Sequence, residues 1–268
     1  MEEQQLLSAC EDGNTEEVRK LLQNPRININ WKDSRYSMTP LYSACKDGHI
    51  EVVKLLLNDK RIDVNLEDNH GQTPFYIACK KGHIEIVKLL LKDERIDINQ
   101  GNRSEATPFC ISCYEGHVEI VKLLLNDQRV DVNQAENEYG TTPFYSACYQ
   151  RHIEVVKLLL NDERVDVNQA RNGGSTPFYI ACENGHIEIV ELLLNEKRIS
   201  IRKKTNEGET AFNVANQRNH LEIVKLIQEY DTGNHYLTNF ESYILIIRNR
   251  KKISRIFRNI SKYVVLLY

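Results

Sequence analysis

The dipeptide Thr-Pro recurs along the 268-residue chain at an almost constant interval, and this period limits the fold more than any other feature. Its copies begin at Thr39, Thr73, Thr107, Thr142 and Thr176, with intervals of 34, 34, 35 and 34 residues, and Thr210-Ala211 follows after another 34. Each of the five Thr-Pro copies continues with cysteine, then Gly-His (Arg-His in the fourth) and an apolar run such as IEIVKLLL. Periods of roughly 20–50 residues indicate stacked repeats.

Each copy predicts two short helices followed by an extended segment and a turn. In the second copy, Thr73 suits the N-cap and Pro74 the first helical position. PFYIACKK then predicts a helix that Gly82 ends in a left-handed conformation, and HIEIVKLLL predicts a second, amphipathic helix. One such unit cannot bury its apolar face alone, whereas stacked neighbours bury a continuous core.

The pattern TPFYIACKKGHIEIVKLLL followed by DVN resembles the ankyrin repeat over residues 1–230. Tetratricopeptide repeats share the period but lack the Thr-Pro opening and the DVN segment. The resemblance implies an all-α ankyrin-repeat solenoid, built of helix-turn-helix units with β-hairpin or loop fingers. It divides into a capping repeat (1–35), five clear repeats (36–206), a degenerate repeat (207–230) and a C-terminal helical tail (231–268).

The chain departs from the family pattern in three places. NDKRI replaces the usual Gly-Ala after the leucine run. Arg151 and Asn219 replace the helix-ending glycine, and we expect arginine to hold the left-handed backbone at a cost of about 1 kcal/mol. The histidine that the family places after Thr-Pro-Leu is replaced in every clear copy, by Tyr42, Tyr76, Cys110, Tyr145 and Tyr179.

Five Cys-x-x-x-His pairs raise the question of metal binding or nucleophilic catalysis. They are Cys45/His49, Cys79/His83, Cys113/His117, Cys148/His152 and Cys182/His186. Each repeat offers only two ligands where zinc needs four, and cysteine packs as a small hydrophobe. We therefore expect core packing for the cysteines and a shared turn for the histidines. The isolated Cys110-x-x-Cys113 is a weak signal, and no cofactor, metal site or enzyme activity is predicted.

The asparagines of the Asp-Val-Asn or Asp-Ile-Asn segments allow two interpretations. They are Asn65, Asn99, Asn133 and Asn168. The resemblance implies a position that is hydroxylated in some ankyrin proteins. The favoured interpretation is a turn asparagine that bonds its own backbone.

Charge and composition narrow the class of partner. Residues 1–230 hold 28 basic and 36 acidic residues, a balance of −8, so a nucleic-acid partner is not expected. The acidic start carries no secretory signal pattern, and seven cysteines without one are expected to be thiols. We expect an intracellular, cytoplasmic monomer.

The resemblance implies that partners are held by exposed first-helix positions and by the finger tips. The helix positions are Lys46 and Asp47, Lys80 and Lys81, Tyr114 and Glu115, Tyr149 and Gln150, Glu183 and Asn184, then Gln217 and Arg218. The finger candidates are His70, Arg103, Tyr139 and Arg171. The expected function is a non-catalytic scaffold or adaptor for an unidentified protein, with Tyr114 and Tyr149 at the centre of its surface.

The tail predicts a basic amphipathic helix. Lys251, Arg255, Arg258 and Lys262 fall opposite an apolar side that includes Phe257. Such a helix suits an anionic membrane, a partner's groove or a cap on the last repeat. The alternative functions are therefore a membrane-peripheral protein anchored by the tail, or a fragment of a larger multidomain ankyrin protein.

Overall fold

The computed structural model describes residues 2–232, which are helical apart from their turns and connections. The helices are α1 (Glu2–Glu11), α2 (Thr15–Leu22), α3 (Pro40–Asp47), α4 (Ile50–Leu57), α5 (Pro74–Lys81), α6 (Ile84–Leu91), α7 (Pro108–Glu115), α8 (Val118–Leu125), α9 (Pro143–Tyr149), α10 (Ile153–Leu160), α11 (Pro177–Glu183), α12 (Ile187–Leu194), α13 (Ala211–Gln217) and α14 (221–232). The predicted tail helix, with Lys251, Arg255, Phe257, Arg258 and Lys262, lies outside this range.

Odd-numbered and even-numbered helices form two rows. Each odd-numbered helix from α3 to α11 packs against the odd-numbered helices before and after it, and the even-numbered helices from α2 to α12 stack likewise. This arrangement confirms the all-α repeat solenoid. Within residues 2–232 the fingers are turns without strands, and no helix there is both long and apolar enough to cross a membrane.

The first helix of each repeat begins as the Thr-Pro pattern predicts. Thr73 is extended, and its Oγ1 accepts a hydrogen bond from the Tyr76 backbone N–H at 3.1 Å. Proline follows at the first helical position, where a missing N–H costs no helical bond. The same cap occurs at Thr39, Thr107, Thr142, Thr176 and, without proline, Thr210.

The turn between the two helices of a repeat requires a left-handed residue. Gly82 has φ +77°, and Arg151 and Asn219 adopt +63° and +62° at the corresponding position. The predicted left-handed arginine is therefore confirmed. Space is also limited at Gly82, because a Cβ there would lie 2.8 Å from Cε1 of His117 in the next repeat.

That histidine joins neighbouring repeats. Nε2 of His117 lies 3.0 Å from the backbone carbonyl of Lys80, and His49, His83, His152, His186 and His220 each make the same contact with the preceding repeat. Because a carbonyl oxygen only accepts, Nε2 must carry the hydrogen. The recurring spacing between cysteine and histidine therefore reflects two separate roles in packing, one for each residue.

The cysteines lie in the core between the rows. Cys45, Cys79, Cys113, Cys148 and Cys182 are completely buried, as predicted for small apolar side chains. Burial raises the pKa of the Cys79 thiol to about 12, so the thiol stays protonated at neutral pH. All seven cysteines are free, and residues 2–232 contain no group of three or more His, Cys, Asp or Glu side chains placed to hold a metal.

The asparagine prediction is wrong about the bonding partner. Nδ2 of Asn99 donates to the Arg129 carbonyl at 2.7 Å, and its Oδ1 accepts from the Asp131 N–H at 2.9 Å, so both bonds reach the next repeat. The local turn is closed by Asp97, whose Oδ1 accepts from the Asn99 N–H. An amide can both donate and accept, which an aspartate cannot do in this position. The other members of this asparagine ladder are Asn30, Asn65, Asn133 and Asn168.

The NDKRI departure supplies a second link between repeats. Arg164 binds Asp162 through both Nε and Nη2, and Nη2 also donates to the Leu125 carbonyl of the preceding repeat at 2.7 Å. Hydrogen bonding by Arg164 lowers the pKa of Asp162. Arg61, Arg95, Arg129 and Arg198 repeat the contact. The segment thus fixes the last turn of one second helix to the repeat that follows.

Candidate protein-binding surface

Most of the predicted contact positions are exposed. This group comprises Asp47, Lys81, Tyr114, Glu115, Tyr149, Asn184, His70, Arg103, Tyr139 and Arg171. The remaining four, Lys46, Lys80, Gln150 and Glu183, are partly buried. Glu183 is engaged within the array, because Nη2 of Arg218 lies 3.0 Å from its Oε1.

The finger tips are joined in sequence by single backbone hydrogen bonds. The Arg103 N–H donates to the His70 carbonyl at 3.0 Å, and the Asn172 N–H donates to the Tyr139 carbonyl at 2.8 Å. Each finger is also closed internally. Glu136 accepts from the N–H groups of Glu138, Tyr139 and Thr141, which orders the finger that is one residue longer than its neighbours. These bonds therefore fix the positions of Tyr139 and Arg171, which belong to adjacent fingers, relative to each other.

Four of the predicted residues meet in one depression, which we name the tyrosine cleft. Tyr114 is in the last turn of α7, Tyr149 ends α9, and Tyr139 and Arg171 come from two successive fingers; Thr141, Tyr145 and Ser146 complete its lining. The cleft has a volume of about 220 Å³. Tyr114, Tyr139 and Tyr149 are 41%, 56% and 46% exposed, unusually high values for such large aromatic side chains.

A second depression continues the surface toward the N-terminus. It shares Tyr114, Tyr139, Thr141 and Ser146 with the tyrosine cleft and extends to Lys80 and Tyr76, past Glu136 and Glu138. Neither depression is lined by the predicted residues Lys46, Asp47, Lys81, Glu115, Gln150, Glu183, Asn184, His70 or Arg103. The predicted positions therefore separate into a concave central group and a peripheral group.

Of the buried side chains in the family's histidine slot, Tyr76, Cys110 and Tyr145 line these two depressions. The Tyr42 hydroxyl donates to Asp68 Oδ2 at 2.9 Å, and Tyr179 donates to Glu209 Oε2 at 2.9 Å. Tyr76 instead accepts from Asn102 Nδ2 at 3.3 Å. Tyr145 is 3% exposed, and its hydroxyl lies beside the buried Ser175 hydroxyl, but neither group makes a hydrogen bond of regular geometry. Burial raises the pKa of Tyr145, so the hydroxyl is a neutral donor at neutral pH.

The exception at Tyr145 coincides with an exception in the next finger. At the first position of each finger, Asp33, Asp68, Asn102, Glu136 and Thr205 supply a side-chain oxygen that accepts from a backbone N–H of the same finger. Arg171 occupies this position after Tyr145 and cannot accept. Its finger keeps only the backbone bonds, from the Gly174 N–H to the Arg171 carbonyl and from the Arg171 N–H to the Ser175 carbonyl, which the fingers at Asp68, Asn102 and Thr205 make as well.

The Arg171 guanidinium lies at the cleft with its charge uncompensated by a neighbouring carboxylate. Its Cζ is 5.9 Å from the centroid of the Tyr145 ring, and it has no ion pair within residues 2–232. Sequence reasoning identified Arg171 as a finger residue but missed its relation to Tyr145. The signal was available, because Arg171 is the only basic residue among the six first-finger positions from Asp33 to Thr205.

Comparison with known protein families gives one match. The description "Ankyrin repeats (3 copies)" fits the chain three times, over residues 6–102, 94–171 and 163–238. A search of curated proteins gave no match. The matched ranges span every described helix from α2 to α14 and include the whole tyrosine cleft.

Proposed function

Because the chain belongs to the ankyrin-repeat family, we propose that it is a non-catalytic scaffold or adaptor that binds a protein partner through the tyrosine cleft and the adjoining first-helix and finger surface. Ankyrin repeats are generally protein–protein interaction modules. The observation that carries the proposal is the convergence of three exposed tyrosines from two helices and a finger. Such a cluster is costly to expose unless a partner covers it.

Tyrosine suits a binding surface for two physical reasons. It buries a large area while only two side-chain torsions are fixed, and its hydroxyl can still reach water or a partner. The backbones beneath these side chains are also held in place. His152 Nε2 lies 2.8 Å from the Tyr114 carbonyl, and His186 Nε2 lies 3.1 Å from the Tyr149 carbonyl. Binding would therefore order few additional degrees of freedom.

The test is quantitative partner capture with a matched control. The double variant Tyr114→Ala, Tyr149→Ala removes two sides of the cleft, whereas Tyr36→Ala removes a tyrosine of similar exposure, 43%, that does not line it. Immobilised wild-type protein and both variants are incubated with cell extract, and bound proteins are quantified by mass spectrometry. A partner retained by wild type and Tyr36→Ala but lost from the double variant supports the proposal. Equal capture by all three proteins contradicts it.

The proposed setting is the interior of the cell, with the chain acting as a monomer. Seven free cysteines, all buried in the array, are consistent with a reducing compartment. Cell fractionation tests the location, and light scattering coupled to size-exclusion chromatography tests the oligomeric state. Recovery of the protein in the secreted fraction would contradict the proposed location, and a dimeric mass would contradict the proposed monomer.

A further inference from the structure

We propose that the tyrosine cleft receives an aspartate or glutamate side chain of the partner, next to an apolar or aromatic residue in the same peptide segment. This inference rests on the proposed function and specifies the chemistry of the segment that is bound. Its basis is a carboxylate that two other copies supply to the tyrosine in this slot and that the copy at the cleft lacks.

Two other copies show what satisfies the buried phenol. Tyr42 and Tyr179 each donate to a carboxylate oxygen at 2.9 Å, from Asp68 and Glu209. Tyr145 occupies the same slot and lines the cleft, but its hydroxyl meets no carboxylate; its neighbour is the buried Ser175 hydroxyl, and neither group makes a hydrogen bond of regular geometry. A buried hydroxyl without a hydrogen bond is unfavourable, so this donor favours any ligand that brings an acceptor to it.

The positive charge of Arg171 favours a negatively charged acceptor. The residue stands where Asp68 stands in the Tyr42 copy, so the chain presents a cation at the place of a carboxylate. The guanidinium is exposed beside the Tyr145 ring, free to make a two-pronged contact with a carboxylate, the geometry to which a guanidinium is best suited. The exposed guanidinium thus provides the donor for one anionic group, with the buried phenol beside it.

The charges around the tyrosine cleft restrict the proposed carboxylate-binding site to the end of the cleft that holds Arg171. Glu183 faces Tyr145 and raises its pKa, but its carboxylate is paired with Arg218. Glu136 and Glu138 line only the adjoining depression, where a hydrogen bond with Glu138 raises the pKa of Tyr139. Within the tyrosine cleft Arg171 is the sole charged lining residue, and Tyr114, Tyr139 and Tyr149 offer aromatic surface around it. A segment with one acidic and one apolar side chain matches this distribution.

The test begins with a phage-displayed library of random peptides selected on the folded wild-type chain. We expect the enriched peptides to contain Asp or Glu beside Phe, Leu, Ile or Trp. The best peptide is then synthesised with a fluorescent label, and its affinity is measured by anisotropy. Replacing its acidic residue by the amide, or Arg171→Glu in the protein, should weaken binding about ten- to a hundredfold. Lys60→Glu, the same charge change at an exposed residue outside both depressions, should have little effect.

The decisive experiment exchanges the charges of the protein and the peptide. Arg171→Glu should bind a peptide that carries lysine in place of the acidic residue more tightly than wild type does. Peptides that require Tyr114 and Tyr149 but bind wild type and Arg171→Glu equally would overturn this inference and leave the proposed function standing. Selection that yields no peptide dependent on Arg171 also overturns it. Failure of the double tyrosine variant to change any binding would instead contradict the proposed function.

Discussion

The Tyr42 hydroxyl and the Asp68 carboxylate form a buried hydrogen bond across a repeat boundary, with 2.9 Å between the two oxygens. Burial and the adjacent Asp68 charge raise the pKa of Tyr42. Tyr145 occupies the equivalent slot three helix pairs further on, but it faces Arg171 and its hydroxyl makes no hydrogen bond of regular geometry. The chain therefore contains the same side chain in a satisfied and an unsatisfied environment, which makes the two tyrosines a matched pair.

Removal of each hydroxyl should affect stability differently. Tyr42→Phe deletes a hydrogen bond to a charged acceptor and leaves Asp68 without it, so we expect the free energy of unfolding to fall by about 1–3 kcal/mol. Tyr145→Phe removes a hydroxyl that makes no hydrogen bond of regular geometry, so we expect no loss or a gain of up to about 1 kcal/mol. Urea denaturation followed by circular dichroism measures both. Equal losses in the two variants would contradict the assignment of Tyr145 as unsatisfied.

Arg171→Asp should restore the missing pair. The fingers that begin at Asp68 and Arg171 have the same length, so an aspartate can accept from the Tyr145 hydroxyl and from backbone N–H groups as Asp68 does. We expect the free energy of unfolding to rise by about 1 kcal/mol. Arg171→Ala is the control, since it removes the cation without supplying an acceptor. A gain in both variants would show that loss of the arginine, and not the new bond, is responsible.

The sequence predicts those parts of the fold that depend on residues close together in the chain. Thr73 caps α5 through Tyr76, three residues later, and Gly82 ends the same helix, so both roles follow from local chemistry. The asparagine bonds reach 30–33 residues forward, and the Arg164 contact reaches 39 residues back. Such bonds depend on the stacking geometry, which periodicity alone does not specify.

For the same reason, the sequence predicted only part of the candidate site. Comparison of the copies identified Tyr114, Tyr139, Tyr149 and Arg171 as variable surface residues, and the structure brings them into one cleft. It did not reveal that Tyr145 lies beneath them, because its partner position is 26 residues further on and in another repeat. Comparing the residue in each histidine slot with the first residue of the next finger would have shown that Tyr145 is followed by Arg171 where Tyr42 is followed by Asp68.

Asn99→Ala should destabilise the array through the asparagine ladder. The change removes the bonds to the Arg129 carbonyl and the Asp131 N–H, and the expected loss in free energy of unfolding is about 1–3 kcal/mol. Asn126→Ala is the matched control, because Asn126 is exposed and only its backbone is engaged, so its effect should stay within about 0.5 kcal/mol. Chemical denaturation compares the two. A loss at Asn99 no larger than at Asn126 would rule out a stabilising ladder.

The left-handed turn position should respond in opposite directions in two repeats. Gly116 has φ +77°, and a Cβ there would lie 2.5 Å from Nδ1 of His152, so Gly116→Ala should cost more than about 1 kcal/mol. Arg151→Gly relieves about 1–2 kcal/mol of backbone strain but loses about 0.4–1 kcal/mol to the entropy of the unfolded chain. A net gain of up to about 1 kcal/mol follows. Thermal denaturation tests both, with Arg151→Ala, which keeps the strained φ, as the control.

Buried thiols and phenols should make the array unstable at alkaline pH. Burial raises the pKa of Cys10 and Cys79 from 9.0 to about 12 and that of Cys110 to about 11. Because the unfolded chain releases these protons at lower pH than the folded chain does, the stabilisation is complete below about pH 9 and declines above it, by up to about 1.4 kcal/mol per pH unit per thiol. Urea denaturation at about pH 8 and about pH 10, under reducing conditions, measures the decline. Cys79→Ala should reduce its slope by the share of one thiol, and a free energy of unfolding that does not change across this range would contradict the raised pKa values.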